Sequence, residues 1–227
     1  SGWMRRIWLI APLFVLAGCA NEPDLVLPDA DQYEYLNWAP EAEYVGKAVC
    51  GECHRENHET FLQSQMGRSF RPARHDLSHA DWMQDDPVYD PGRDLWYQPV
   101  RNGQDLFVRE FRLSEGDTVH QRIEKIDWIV GSGQHTNSHM REVNGYLYQV
   151  PMTWYAQAGK WGLPPGFDGG DSPRFNRPIP DLCMSCHDGP SVYEDGSENR
   201  FTEIPHGIEC ENCHGPGSIH EDAMRAG

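Results

Sequence analysis

The alternation of apolar and polar residues divides the chain into unlike stretches. Ile7 to Ala17 is an almost unbroken apolar run of 11 residues behind Arg5-Arg6, too short to cross a bilayer, which takes about 20. A positive start followed by such a run predicts a secretory signal over residues 1–18. Residues 19–45 then turn acidic and proline-bearing, the pattern of a tether. His54, His58, Phe61, Leu62, Gln65 and Met66 recur at helical spacing, which predicts a helix over 54–70. Further on the period changes to two, predicting strands near 94–100, 104–113 and 117–130 and a second hairpin around 139–151. Asn102-Gly103 and Asn144-Gly145 interrupt these runs, and Asn-Gly between β-type residues is the strongest short hairpin signal. Pro164-Pro165-Gly166 through Pro180 reads as loop, and Gly215-Pro216-Gly217 stops any helix after residue 214.

Composition narrows what such a chain can be. Lys+Arg 19 against Asp+Glu 35 gives a net charge of −16, which argues against a nucleic-acid-binding surface. Hydrophobic residues make up 38%, a low share, yet aromatics reach 11%, which argues against disorder throughout. The seven cysteines are an odd number and do not pair off into a disulfide framework.

One cysteine separates from the rest by position. Leu16-Ala17-Gly18-Cys19 resembles the lipobox of bacterial lipoproteins. That resemblance implies cleavage before Cys19, acylation of its thiol, and an exported protein, periplasmic or at the cell surface. The resemblance further implies, from Ala20 rather than Asp after the cysteine, sorting to the outer over the inner membrane. An ordinary signal peptide with an incidental cysteine is the alternative. Losing Arg5 and Arg6 leaves 17 basic against 35 acidic side chains, a net charge of −18.

The other six cysteines fall into one repeated pattern. Cys50-Gly-Glu-Cys53-His54, Cys183-Met-Ser-Cys186-His187 and Cys210-Glu-Asn-Cys213-His214 are each C-x-x-C-H, the attachment motif of c-type haem. Two thiols three positions apart can add to the two vinyl groups on one porphyrin edge, and the next His reaches the iron as proximal ligand. Zinc chemistry has no need of a His directly after each second Cys. A thioredoxin-like site would not need three copies. Three small-loop disulfides would be unusual. The reading is three covalently bound haem c groups. The second and third motifs start only 27 residues apart, which predicts that those two haems are near neighbours.

Several stretches carry a wider resemblance. They are the first motif with Gln65-Met66-Gly67-Arg68-Ser69-Phe70, then Asp127-Trp128-Ile129-Val130-Gly131-Ser132-Gly133-Gln134-His135, then Val150-Pro151-Met152-Thr153-Trp154-Tyr155. Ile204-Pro205, Gly207-Ile208 and the third motif with Gly215-Pro216-Gly217 and His220 complete them. Over residues 46–222 the chain is similar to bacterial multihaem cytochromes c often fused to tetratricopeptide repeats, relatives of the tetrahaem electron carriers of nitrogen metabolism. Members of that group commonly continue into further haem motifs and repeats.

Three haems need three sixth ligands unless an iron is left open. Of 11 histidines, eight are not proximal. His220 matches the distal position of the resembled group. His135 follows Gly-Ser-Gly at a predicted strand end, where a loop can turn it toward a haem. Met66 stands where relatives carry His or Met; on one continuous helix it lies about 18 Å from His54, so it would serve another haem or be core. His206, four residues before Cys210, is its rival. His58 lies one turn from His54 and suits packing or propionate contact. His75, His79, His120 and His139 read as ordinary polar residues. Arg68, Arg141 and Arg174 are candidate propionate partners. Trp128, Trp154, Tyr155 and Trp161 are candidates to cover haem faces or to form β core.

The expected fold class is α+β, organised by haem with little regular secondary structure. Short helices surround the motifs, with an antiparallel β region inserted between them. The expected layout is 1–18 signal peptide, 19–45 acidic tether, 46–75 first haem segment, 76–180 β-rich insertion and loops, and 181–227 second and third haem segment. The expected function is electron transfer between redox partners in the cell envelope, by a chain anchored to the membrane through Cys19 and forming a subunit of a larger assembly. Its acidic surface suits basic docking partners and excludes nucleic acid. A small reductase of an inorganic nitrogen or sulfur compound, with one open haem, is the alternative, although no catalytic constellation announces it. A structural subunit whose haems act as folding staples is the third reading.

Overall fold

The computed structural model describes residues 35–226; the signal stretch, Cys19 and tether residues 19–34 lie outside the described residues. Among those described, no helix is long and apolar enough to cross a membrane. The fold is α+β, with antiparallel sheets and short helices, as the sequence predicts.

Two short helices open it, α1 (Lys47–Cys53) and α2 (Arg55–Leu62). The helix predicted over 54–70 is therefore corrected at both ends: it begins before the motif, breaks at His54, and stops at Leu62. Gly67 accounts for the stop. A Cβ there would stand 2.4 Å from the Phe61 carbonyl oxygen, so only glycine lets the chain fold back over the helix end.

The strands β1 (Phe70–Pro72), β2 (Val88–Asp90), β3 (Leu95–Asn102), β4 (Asp105–Ser114) and β5 (Asp117–Ile126) come next. They are followed by β6 (Trp128–Val130), β7 (Thr136–Val143), β8 (Tyr146–Tyr155), β9 (Lys160–Gly162) and β10 (Arg177–Pro178). β2-β3-β4-β5 form one antiparallel sheet, and β1-β6-β7-β8-β10, with β9 on β8, form a second. The strand predicted over 117–130 is thus two strands in two sheets. Asp127 marks the crossover: its carbonyl accepts from Ala73 N, its N–H donates to Met140 O, and its carboxylate accepts from Glu142 N.

Hairpin geometry follows local chemistry. Asn144 and Gly145 both take positive φ, as the two central residues of a type I′ turn require. At the first signal the turn is displaced by one residue: Asn102 pairs with Asp105, so Gly103 and Gln104 are the central pair.

The larger sheet has two buried faces. Ile129, Val150, Met152 and Trp154 pack with Leu95, Tyr97, Leu106 and Val108 of the smaller sheet. Val130, Met140 and Leu147 form the opposite cluster with Phe70, Phe201 and Met184. Each such side chain contributes about 1.5–3 kcal/mol on burial, so the β region carries a core built of side chains alone. Trp154 and Trp161 belong to that core, together with Trp82. His139 is wholly buried among these indoles, its Nδ1 3.2 Å from Met152 O and its Nε2 without a partner. Burial pushes its imidazole down to about 4, which keeps it neutral.

The remaining elements bring back the motifs: α3 (Asp181–His187), the β11 (Val192–Tyr193) and β12 (Phe201–Glu203) pair, α4 (Glu211–His214) and α5 (Ser218–Ala226).

Candidate functional site

Each of the second and third motifs uses a residue between its cysteines as an anchor. In the second motif Met184 is fully buried against the larger sheet, which leaves Cys183, Cys186 and His187 exposed on α3. In the third motif Glu211 is the anchor. Its carboxylate accepts from Val45 N (3.0 Å), Gly46 N (2.7 Å) and Gly217 N (2.8 Å). Glu209 adds to it by accepting from Lys47 N at 3.1 Å and pairing with Lys47 Nζ at 3.4 Å. Two buried acids therefore clasp the start of α1 to the third motif. Asn37 donates to His214 O at 2.5 Å, and Glu43 and Ser218 exchange two hydrogen bonds. Residues 35–45, expected as the end of a tether, pack instead on the third motif.

The clasp creates an apolar cleft of about 790 Å³, within the roughly 300–1,000 Å³ of clefts that hold small molecules and cofactors. Cys50 and His54 from the first motif line it, with Cys210, Cys213 and His214 from the third. His58 and His220 complete its imidazoles, and Leu36, Phe61 and Pro216 are apolar wall. Cys50 and Cys210 lie side by side. Burial, then the nearby Cys210 and Glu211, pushes the Cys50 thiol up to about 11. No disulfide joins any of the six motif cysteines.

His220 sits in the first turn of α5, and its ring faces that of His54 with centroids 6.3 Å apart and planes 17° apart. α5 is held over α1 by Arg225, which bonds both Glu52 (2.6 Å) and Glu221 (2.7 Å). Gly51 makes room for His58, since a Cβ there would stand 2.9 Å from its Nδ1. Cysteine thiols, facing imidazoles and an apolar wall in one cleft are the donor set and surroundings that covalent haem needs. The residues fit the group.

The second motif joins the same body by other contacts. Asn212 Nδ2 donates to Asp188 O at 3.2 Å, and Gly207 N donates to the Asp188 carboxylate. Ser69 Oγ donates to His187 O at 2.8 Å. The second and third motifs are therefore adjacent, but the pair that shares a cleft is the first and third. That pairing was not visible in the spacing.

The other distal candidates separate. Met66 is 50% exposed in the turn after α2, outside the cleft, and its neighbour Gly67 abuts Gly207. The distance reckoned along one continuous helix does not apply to it. His206 packs its ring on Trp128, 5.1 Å between centroids, beside the same Gly207. His135 is exposed, its Nδ1 3.0 Å from Gln157 Nε2, and is not brought into the cleft. Arg141 and Arg174 are committed elsewhere. Arg141 bonds Glu124 at 3.0 Å and Phe175 O at 3.1 Å, and Arg174 makes a two-point pair with the buried Glu110. Burial alone would raise the Glu110 carboxyl; Arg174 and His120 outweigh it and hold it below the usual range. Glu209, Glu211 and Arg71 were missed in the sequence, because acids beside a cysteine and one Arg in an Arg-rich stretch carry no signal of burial.

No protein-family profile matches the chain, and no curated protein matches it. Among solved structures, it aligns with the crystal structure of the outer cell wall cytochrome OcwA at a TM-score of 0.47 and 16% identity. The alignment covers 81% of this chain and 34% of that one, so the chain spans about a third of that protein's length.

Proposed function

We propose that this chain is a triheme c-type cytochrome that carries electrons between redox partners in the cell envelope. The observation that carries the reading is the convergence of two C-x-x-C-H motifs, with His220 facing His54, on one apolar cleft. In this reading Cys50, Cys53, Cys183, Cys186, Cys210 and Cys213 hold three haem c groups, and His54, His187 and His214 are their proximal ligands. His220, whose ring lies 6.3 Å from that of His54, would be a further ligand to the iron. Haem supplies a one-electron ferric–ferrous couple whose potential the axial ligands and the surrounding polarity set. Phe61, Leu36 and Pro216 would pack against a haem in the cleft, and the apolar surroundings they give it would tune that potential. Glu209 and Glu211 position the two motifs and touch no reacting atom.

Acylation of Cys19 anchors the chain, the outer membrane being favoured, and the acidic surface docks basic partner proteins within a larger assembly. Such docking slows as salt rises. The reading is tested by the pyridine haemochrome of the chain expressed with haem-attachment machinery. Three haems per chain are expected; none would overturn it.

A further inference from the structure

Arg71, on β1, is only 7% exposed, and its bonds leave its charge uncompensated. Nε donates to Leu77 O (2.8 Å), and Nη1 donates to Arg68 O (2.6 Å) and Gly131 O (2.7 Å). All three partners are neutral carbonyls. Nη2 is buried and has no partner. A buried guanidinium with an idle donor is costly, and its planar fork of N–H groups matches a carboxylate or oxyanion.

Arg71 lines a cavity of about 360 Å³ together with Arg68, Asp76, His79 and His206. The one acid, Asp76, already accepts two hydrogen bonds from Arg74, at 3.0 and 2.8 Å. What remains is two guanidiniums and two imidazoles around one space. His79 and His206 are held below the ordinary imidazole range by burial first; Arg71 and Arg68 add to this at His79, and Lys47 at His206. The charge left over in this wall is that of Arg68 and Arg71, and each neutral imidazole can turn a ring N–H toward an anion.

We infer that this cavity is an anion site, taking a carboxylate or an inorganic oxyanion against the Arg71 and Arg68 guanidiniums, with His79 and His206 in its wall. Two sources share that chemistry. One is a propionate of a haem on the second motif, which lies beside the cavity through Ser69 and the Asp188–Gly207 contact. The other is a free oxyanion. The first source rests on the function proposed above; the anion chemistry itself does not.

The test uses the haem-loaded full chain as wild type, Arg71→Gln and Arg68→Gln. Each is titrated with sodium sulfate and sodium acetate by calorimetry, and the haem potentials are measured by spectroelectrochemistry. If the source is a free anion, wild type binds sulfate and Arg71→Gln weakens binding at least tenfold. If it is a propionate, wild type binds neither salt and Arg71→Gln lowers the potential of one haem, because a nearby positive charge favours the reduced state. Unchanged potentials overturn the inference if wild type binds no salt, or if its binding is the same in both variants. Should Arg71→Gln fail to fold, Arg68→Gln decides by the same readouts, with a severalfold effect. A chain without haem would refute the proposed function, and the sulfate titration would then judge the cavity alone.

Discussion

Replacing Glu211 with alanine should open the clasp between the first and third motifs. The side chain is 3% exposed and serves three backbone N–H groups, from Val45, Gly46 and Gly217. A hydrogen bond to a charged group contributes about 1.5–3 kcal/mol, and a stranded donor costs its desolvation. The three donors are only part-buried, so water recovers some of the loss, and we expect about 3–5 kcal/mol in all. Glu211→Gln keeps one accepting oxygen but loses the charge, and should cost about half as much. Guanidinium unfolding of the haem-loaded chain measures both, with midpoint and slope fitted together. The same variant should shift the spectrum of the haem that His54 and His220 would hold, because the clasp sets where α1 stands. A change below about 0.5 kcal/mol for Glu211→Ala, the range of ordinary surface substitutions, would refute the reasoning.

Two further outcomes follow from the β region and the second motif. His139 ordinarily titrates near 6.5 and is held at about 4 in the folded chain. Its contribution is therefore complete above pH 6.5 and is lost as pH falls toward 4, by about 3 kcal/mol in total. Urea midpoints at pH 7 and pH 4.5 should differ more for wild type than for His139→Leu; equal differences would contradict the account. Met184→Ala, which truncates a fully buried side chain, should cost about 2–5 kcal/mol and expose the second motif to proteolysis. The exposed neighbour Leu182→Ala should change neither reading.

What the sequence revealed was local, and what it hid was distant. Asn144-Gly145 announced its turn because both positions need positive φ and the pair tolerates it. Glu115-Gly116 makes a turn of the same kind between β4 and β5, and Glu gives no such signal. Asp127 looked like one polar residue within a strand, although it marks the passage between two sheets. The three C-x-x-C-H motifs were legible by spacing alone. Their grouping did not follow, since Glu211 reaches Val45 across 166 positions and Asn37 reaches His214 across 177. Such contacts are set by tertiary packing, and no periodicity records them.

The central claim is that His220 stands opposite His54 across one haem iron. Electron paramagnetic resonance of the oxidised chain, as wild type and His220→Ala, tests it most directly. The account predicts that His220→Ala turns one haem of three from low-spin to axial high-spin, and that added imidazole restores it. A folded, three-haem His220→Ala chain with an unchanged low-spin spectrum would contradict it.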